Sequence, residues 1–266
     1  MTALRHEIGE YDRPGPARAR RWAWLPVLII GIGLYIAVRQ SLVITGNPIL
    51  VSSLLVLGVL LIPVSFVVYV DGRNPVHEVP VSVLLSCALV GGVLGAALAS
   101  VLEFDTMRRL GALSAVSIGL IEESAKLLVP IAVLAFTRYR TSTADGLLVG
   151  VAVGMGFALV ETLGYGFVTL LATGGDLTDV EGLFLLRAAL GPAGHAAWTG
   201  LAAAALWWAH AERWRPRGLV VVVGTFLLVV VLHILWVATT AWYGYLIVGI
   251  ISFALLMVQT HRSVLR

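Results

Sequence analysis

The stretch Gly119-Leu120-Ile121-Glu122-Glu123-Ser124-Ala125-Lys126-Leu127-Leu128-Val129-Pro130 decides how this chain is read. It sets two adjacent carboxylates and an ammonium into a segment that is apolar on both sides. An ionisable side chain at the centre of a bilayer costs about 3 kcal/mol or more, and such groups persist where they are paired or used. Two questions follow. Is the segment in a membrane, and what else reaches its depth?

Composition answers the first. Of 266 residues, 59% are hydrophobic and 12% charged, against about 25% charged in a soluble domain. Too little polar surface remains to face water, so the chain is an integral membrane protein with the lipid bilayer as its first partner. The net charge of +3 bears on orientation in the membrane, and no nucleic-acid partner is expected. The single cysteine, Cys87, excludes an internal disulfide and a cysteine-based metal cluster.

Crossing the hydrocarbon takes about 20 apolar residues in a helix. By that rule the chain divides into eight spans, near 24–42, 48–70, 79–102, 112–136, 146–172, 183–209, 219–239 and 243–258. Charged or turn-forming segments lie between them, such as Asp71-Gly72-Arg73-Asn74-Pro75 and the stretch from Glu103 to Arg109. With the amino terminus inside, thirteen Arg fall in cytoplasmic segments and three outside, an asymmetry of the kind that sets orientation. The expected fold is therefore all-α: a polytopic membrane helix bundle of about eight transmembrane helices with both termini cytoplasmic. Residues 1–23 form a basic cytoplasmic tail, 24–258 a single transmembrane domain and 259–266 a second cytoplasmic tail.

Within the spans, strongly polar side chains are few. Beyond the opening stretch they are Glu161, Arg187, His195 and His233. At 1.5 Å per residue, Glu122, Glu161, His195 and His233 all fall about 10–18 Å below the outer surface. Taken singly, each has an ordinary explanation, such as a helix–helix hydrogen bond or an i,i+4 ion pair between Glu122 and Lys126. Together they place carboxylates and imidazoles from four helices in one layer. Gly146, Gly150 and Gly154 recur at every fourth position, a spacing that lets helices approach closely. Pro130 and Pro192 each remove a backbone hydrogen bond and kink their helices beside Lys126 and His195.

A carboxylate beside water can serve as general base. Two imidazoles with a carboxylate also suit a catalytic zinc that keeps one position open for water. A metal-free version has a Glu-activated water attack a carbonyl while histidines donate to the oxyanion. The residues leave both open. Glu122 and Glu123 are the candidate bases, with Lys126 set to pair with Glu122. His195, His233 and Glu161 are candidate metal ligands or, without metal, donors and orienting groups. Arg187 is a candidate contact for a substrate carbonyl or carboxylate.

The run Glu122-Glu123-Ser124-Ala125-Lys126 resembles the EExxK motif of the PrsW family of intramembrane proteases. Asp145-Gly146 with Phe157-Ala158-Leu159-Val160-Glu161, then His195-Ala196-Ala197-Trp198-Thr199-Gly200, then His233-Ile234-Leu235-Trp236, resemble its later motifs in order. The family is related to the CAAX-type membrane proteases. Two positions depart from its pattern: Thr162 stands where Asn follows the Glu, and Val237 where Asn follows the Trp. The resemblance implies a multi-pass protein of a bacterial cell membrane that hydrolyses a peptide bond in a membrane-embedded or membrane-proximal protein. It places Glu122, Glu123, Lys126, Glu161, His195 and His233 in the catalytic machinery, with zinc as the implied cofactor of a metalloprotease. Two rival readings are a proton-coupled transporter, which would show matching halves, and a catalytically inactive scaffold that binds membrane helices.

Overall fold

A computed structural model describes residues 18–73 and 77–264. Every regular element among them is helical, and most of the amino-terminal basic tail lies outside them. A short α1 (Arg18–Trp22) leads into α2 (Trp24–Thr45) and α3 (Ile49–Arg73), which pair, and then α4 (Val81–Leu110). Next come α5 (Ala115–Lys126), α6 (Leu128–Phe136), α7 (Thr143–Ala172) and α8 (Leu177–Leu190). A 3₁₀ turn at Gly191–Ala193 precedes α9 (His195–Ala211), and α10 (Pro216–Ala238) and α11 (Trp242–Val264) close the chain.

Six helices among the described residues are long and apolar enough to cross a membrane, and the chain is a multi-pass membrane protein. The other two segments expected to span are helical but broken, and the break has a physical cause in each. Pro130 carries no N–H for the carbonyl of Lys126, four residues back. α5 therefore stops at Lys126, and α6 restarts at Leu128. Pro192 does the same to the carbonyl of Ala188. There α8 ends at Leu190, and the turn and Gly194 intervene before His195 opens α9.

Two expected loops proved helical. The segment Glu103–Arg109 continues α4 to Leu110. Good helix formers and the i,i+4 pair of Asp105 with Arg109 (2.6 Å) hold it. Gly111, at φ 69°, caps it by sending its N–H to the carbonyl of Met107. Likewise Asp71-Gly72-Arg73 belongs to α3, where Asp71 accepts from Arg20 at 3.1 Å and lies 2.9 Å from His77. The remainder of that expected turn, 74–76, lies outside the described residues.

α7 is the central post. Most of it is buried, and it packs on α9 along one side and α4 along another. Its first turn is closed by a capping box between Ser142 and Asp145. The fully buried Asp145 carboxylate also accepts the backbone N–H of Glu78 at 2.8 Å and the Thr141 hydroxyl at 3.2 Å. The glycine stripe is where α9 comes closest. A Cβ on Gly154 would collide with the carbonyl oxygen of His195, and one on Gly150 with that of Thr199.

Because the obstacle at Gly154 is backbone, no rotamer change relieves it. Gly154→Ala should push α9 outward, lowering stability by about 1–3 kcal/mol. Thermal unfolding of the detergent-purified variant measures this, and an unchanged midpoint would contradict it.

Candidate active site

Four helices deliver the polar layer. α5 ends in the acidic pair and Lys126, α7 carries Glu161 and Thr162, α9 opens on His195, and α10 carries His233. The side chains meet through one fully buried ammonium. Lys126 Nζ lies 2.6 Å from Glu123 Oε1, 2.8 Å from His195 Nδ1 and 3.5 Å from Glu122 Oε2. Its nearer carboxylate is thus Glu123 at i,i+3, not the expected Glu122 at i,i+4. The ring of Phe157 lies 4.6 Å from the same nitrogen.

Donor chemistry fixes the rings. An ammonium only donates, so His195 Nδ1 accepts from Lys126. An ionised carboxylate only accepts, so His195 Nε2–H donates to Glu161 Oε2 at 2.9 Å. By the same rule His233 Nδ1–H donates to Glu123 Oε1 at 2.8 Å. That leaves His233 Nε2 directed toward Glu122, 3.8 Å from Oε2. His195 Nδ1 is 3.9 Å from the same oxygen. Trp198, wholly buried, stacks on His233 with centroids 4.7 Å apart and donates its Nε1–H to Ser252 at 2.9 Å.

Arg187 does not stand alone. Its Nη2 donates to Glu161 at 2.5 Å and its Nε to Thr162 at 2.7 Å. The hydroxyl of Thr162 bonds in turn to the carbonyl of Ala158. One departure from the family pattern, Thr at 162, therefore has a defined partner here. Nothing in the structure explains Val237. A continuous chain of polar contacts runs Arg187–Glu161–His195–Lys126–Glu123–His233, joining α8, α7, α9, α5 and α10.

The acidic pair is split by exposure. The Glu123 side chain is 2% exposed and the Glu122 side chain 11%. Glu122 faces a cavity of about 530 Å³ whose walls also include Glu103, Glu161, Arg187, His195 and His233; Glu123 lies behind that wall. The broken helix contributes Leu190, Gly191 and Gly194 to the cavity lining.

Residues 79–260 match the family described as PrsW family intramembrane metalloprotease. The chain belongs to the PrsW family. Comparison with curated proteins and with solved structures gives no match. PrsW membership makes the chain an intramembrane protease, with a membrane protein as its class of substrate and the bilayer as its setting. The match favours neither the transporter nor the scaffold reading.

The family is one of metalloproteases, so the donors here are weighed as ligands for a metal. Imidazole and carboxylate are the right types for zinc. Their arrangement does not fit. Glu161 contacts His195 at Nε2, while His233 is turned to Glu123. The Lys126 ammonium lies against His195 Nδ1, where a second cation would be repelled. Among the described residues, no three His, Cys, Asp or Glu side chains are grouped to hold an ion.

One wall residue escaped the sequence reading. Glu103 looks like a loop residue by composition, yet it lies inside α4 and lines the cavity. A hairpin count would have found it. It lies eight residues before Gly111, and Glu122 lies eight after Ser114, the N-cap of α5.

Removing the ammonium should be costly. Lys126→Met strands the Glu123 carboxylate without its cation and should lower stability by about 3–5 kcal/mol. Adding Glu123→Gln should recover part of that loss. Denaturant unfolding in detergent checks both, and equal stability of Lys126→Met and wild type would refute the pairing.

Proposed function

We propose that the chain is an endopeptidase in which Glu122 activates the water that attacks a peptide carbonyl within the membrane. The observation that carries this reading is the split of the acidic pair. One carboxylate faces a cavity large enough for water and an extended peptide, and its neighbour lies behind it, bonded to Lys126 and His233.

The 3.8 Å between Glu122 Oε2 and His233 Nε2 is too long for a direct hydrogen bond and leaves room for a bridging water, whereas His195 Nδ1 is already taken by Lys126. Glu122 takes a proton from that water as its oxygen bonds to the carbonyl carbon. The carbonyl oxygen gains negative charge beside His233 Nε2, which in protonated form donates to it. Glu123 accepts from Nδ1 of the same ring, holding its orientation and balancing its charge. His195 positions the assembly by linking Lys126 to Glu161. Arg187 holds Glu161 and presents the rest of its guanidinium to the cavity, where a substrate carbonyl can be received. The tetrahedral intermediate collapses when the C–N bond breaks and the nitrogen takes up a proton, releasing an acid and an amine. Zinc, were it bound, would polarise the carbonyl and activate water; the steps above use the chain's own side chains.

The Arg asymmetry supports cytoplasmic termini. Residues 115–136 together reach about 33 Å at 1.5 Å per residue, enough for one crossing. With α8–α9 as another, the total becomes eight. Reporter fusions after Arg140 and after Asp176 should report opposite sides of the membrane, and the same side for both would overturn this topology.

Glu122→Gln should fold and insert normally but cleave a co-expressed single-span reporter at least about 100-fold more slowly, the scale of a lost general base. Glu123→Gln and His233→Ala should also lose activity, with part of their effect appearing as lower stability. Full turnover in Glu122→Gln would sink the reading. Inactivation by chelator with recovery on adding zinc would replace the metal-free chemistry with a metal-assisted form.

A further inference from the structure

Among the described residues, Glu103 is the one carboxyl in the cavity wall with an oxygen that is both shut off from solvent and unbonded. That oxygen is Oε1 of a half-buried side chain, whereas Glu122 and Glu161 in the same wall, and Glu123 behind it, lie against Lys126, Arg187 or a histidine. A buried carboxylate oxygen with neither donor nor adjacent cation is costly as an ion. The same group as a neutral acid has an O–H to give. Its place is also specific. α4 and α5 form an antiparallel hairpin across residues 111–114, and Glu103 and Glu122 lie eight residues from its two ends. At 1.5 Å per residue both lie about 12 Å from the turn, and both line the same cavity.

We propose that Glu103 is the acid of the cleavage reaction: it gives its proton to the nitrogen of the breaking peptide bond. The inference rests on the hydrolytic reading above and names the proton source that reading left open. Water loses a proton to Glu122 as its oxygen bonds to the carbonyl carbon. On collapse the carbonyl re-forms, the C–N bond breaks, and the nitrogen takes the proton of the Glu103 carboxyl. The site then holds a neutral Glu122 and an ionised Glu103, and one proton passed through cavity water from the first to the second restores it. Across the cycle one water and one peptide bond become one carboxylic acid and one amine. The other charged or titratable groups facing the cavity are Glu161, Tyr165, Arg187, His195, His233 and Tyr245, with Lys126 buried behind them.

Two measurements test this, and they fail separately. The first needs no substrate. Infrared spectra of the full chain in liposomes near neutral pH should show a protonated-carboxyl carbonyl stretch that Glu103→Gln removes and Glu122→Gln keeps. A band unaffected by Glu103→Gln, or no band in wild type, overturns the proposal even if the protein is a protease. The second uses a quenched fluorescent peptide with a single apolar span that the wild-type protein cuts. Glu103→Gln should lower kcat about 100-fold with KM within threefold, and should abolish the fall of kcat at high pH that an acid catalyst produces. Glu103→Asp should retain part of the rate and keep that fall. Unchanged kcat with an unchanged pH profile, or a rise in KM alone, overturns the assignment. Loss of activity in Glu122→Gln beside full activity in Glu103→Gln would leave the protease reading standing and remove only Glu103.

Discussion

An ammonium with no access to water must find acceptors in the protein, and Lys126 finds them on its own helix and on α9. The site is organised around that requirement. Satisfying it turns Glu123 inward and sets the tautomer of His195. Glu123 then holds His233, and His195 holds Glu161, to which Arg187 is bound. In a low-dielectric interior such a chain is stabilising only when every member is satisfied. The geometry of the site is thus coupled to the stability of the bundle.

The same constraint divides labour between two neighbouring glutamates. Adjacent residues on a helix point about 100° apart, so one ammonium cannot bring both acids to one side. Glu123 goes to the lysine and is sealed. Glu122 is left at the cavity edge with only a long contact to the ammonium. The helix breaks serve this arrangement. Pro130 ends α5 at Lys126, and Pro192 with Gly194 makes His195 the first residue of α9. His195 therefore stands at a helix start, tight against Gly154 of α7, beside the helix gap that lines the cavity.

The family's description and this arrangement differ over metal. Zinc would demand that donors converge on one point, whereas here the histidines are directed to opposite acids with a lysine between them. The types of side chain suit either chemistry. Their pairing with Lys126 is the ground on which the metal-free chemistry is proposed.

Much was legible in the sequence because the bilayer is a severe solvent. Charged residues are so costly in hydrocarbon that the few present had to be paired or functional, and a 1.5 Å rise set Glu122, Glu161, His195 and His233 at one depth before any packing was known. Pro130, Pro192 and the glycine stripe marked kinks and a close helix pair by the same local logic, and packing turned the kinks into full breaks. Depth, however, is one coordinate of three. Which acid faces the cavity, which imidazole nitrogen is free, and whether Lys126 prefers Glu122 or Glu123 depend on helix rotation, and rotation is set by packing between helices distant in sequence. Glu103 shows the limit most clearly. Beside Asp105, Arg108 and Arg109 it reads as loop; only the packing of α4 against its neighbours turns it into a wall of the cavity.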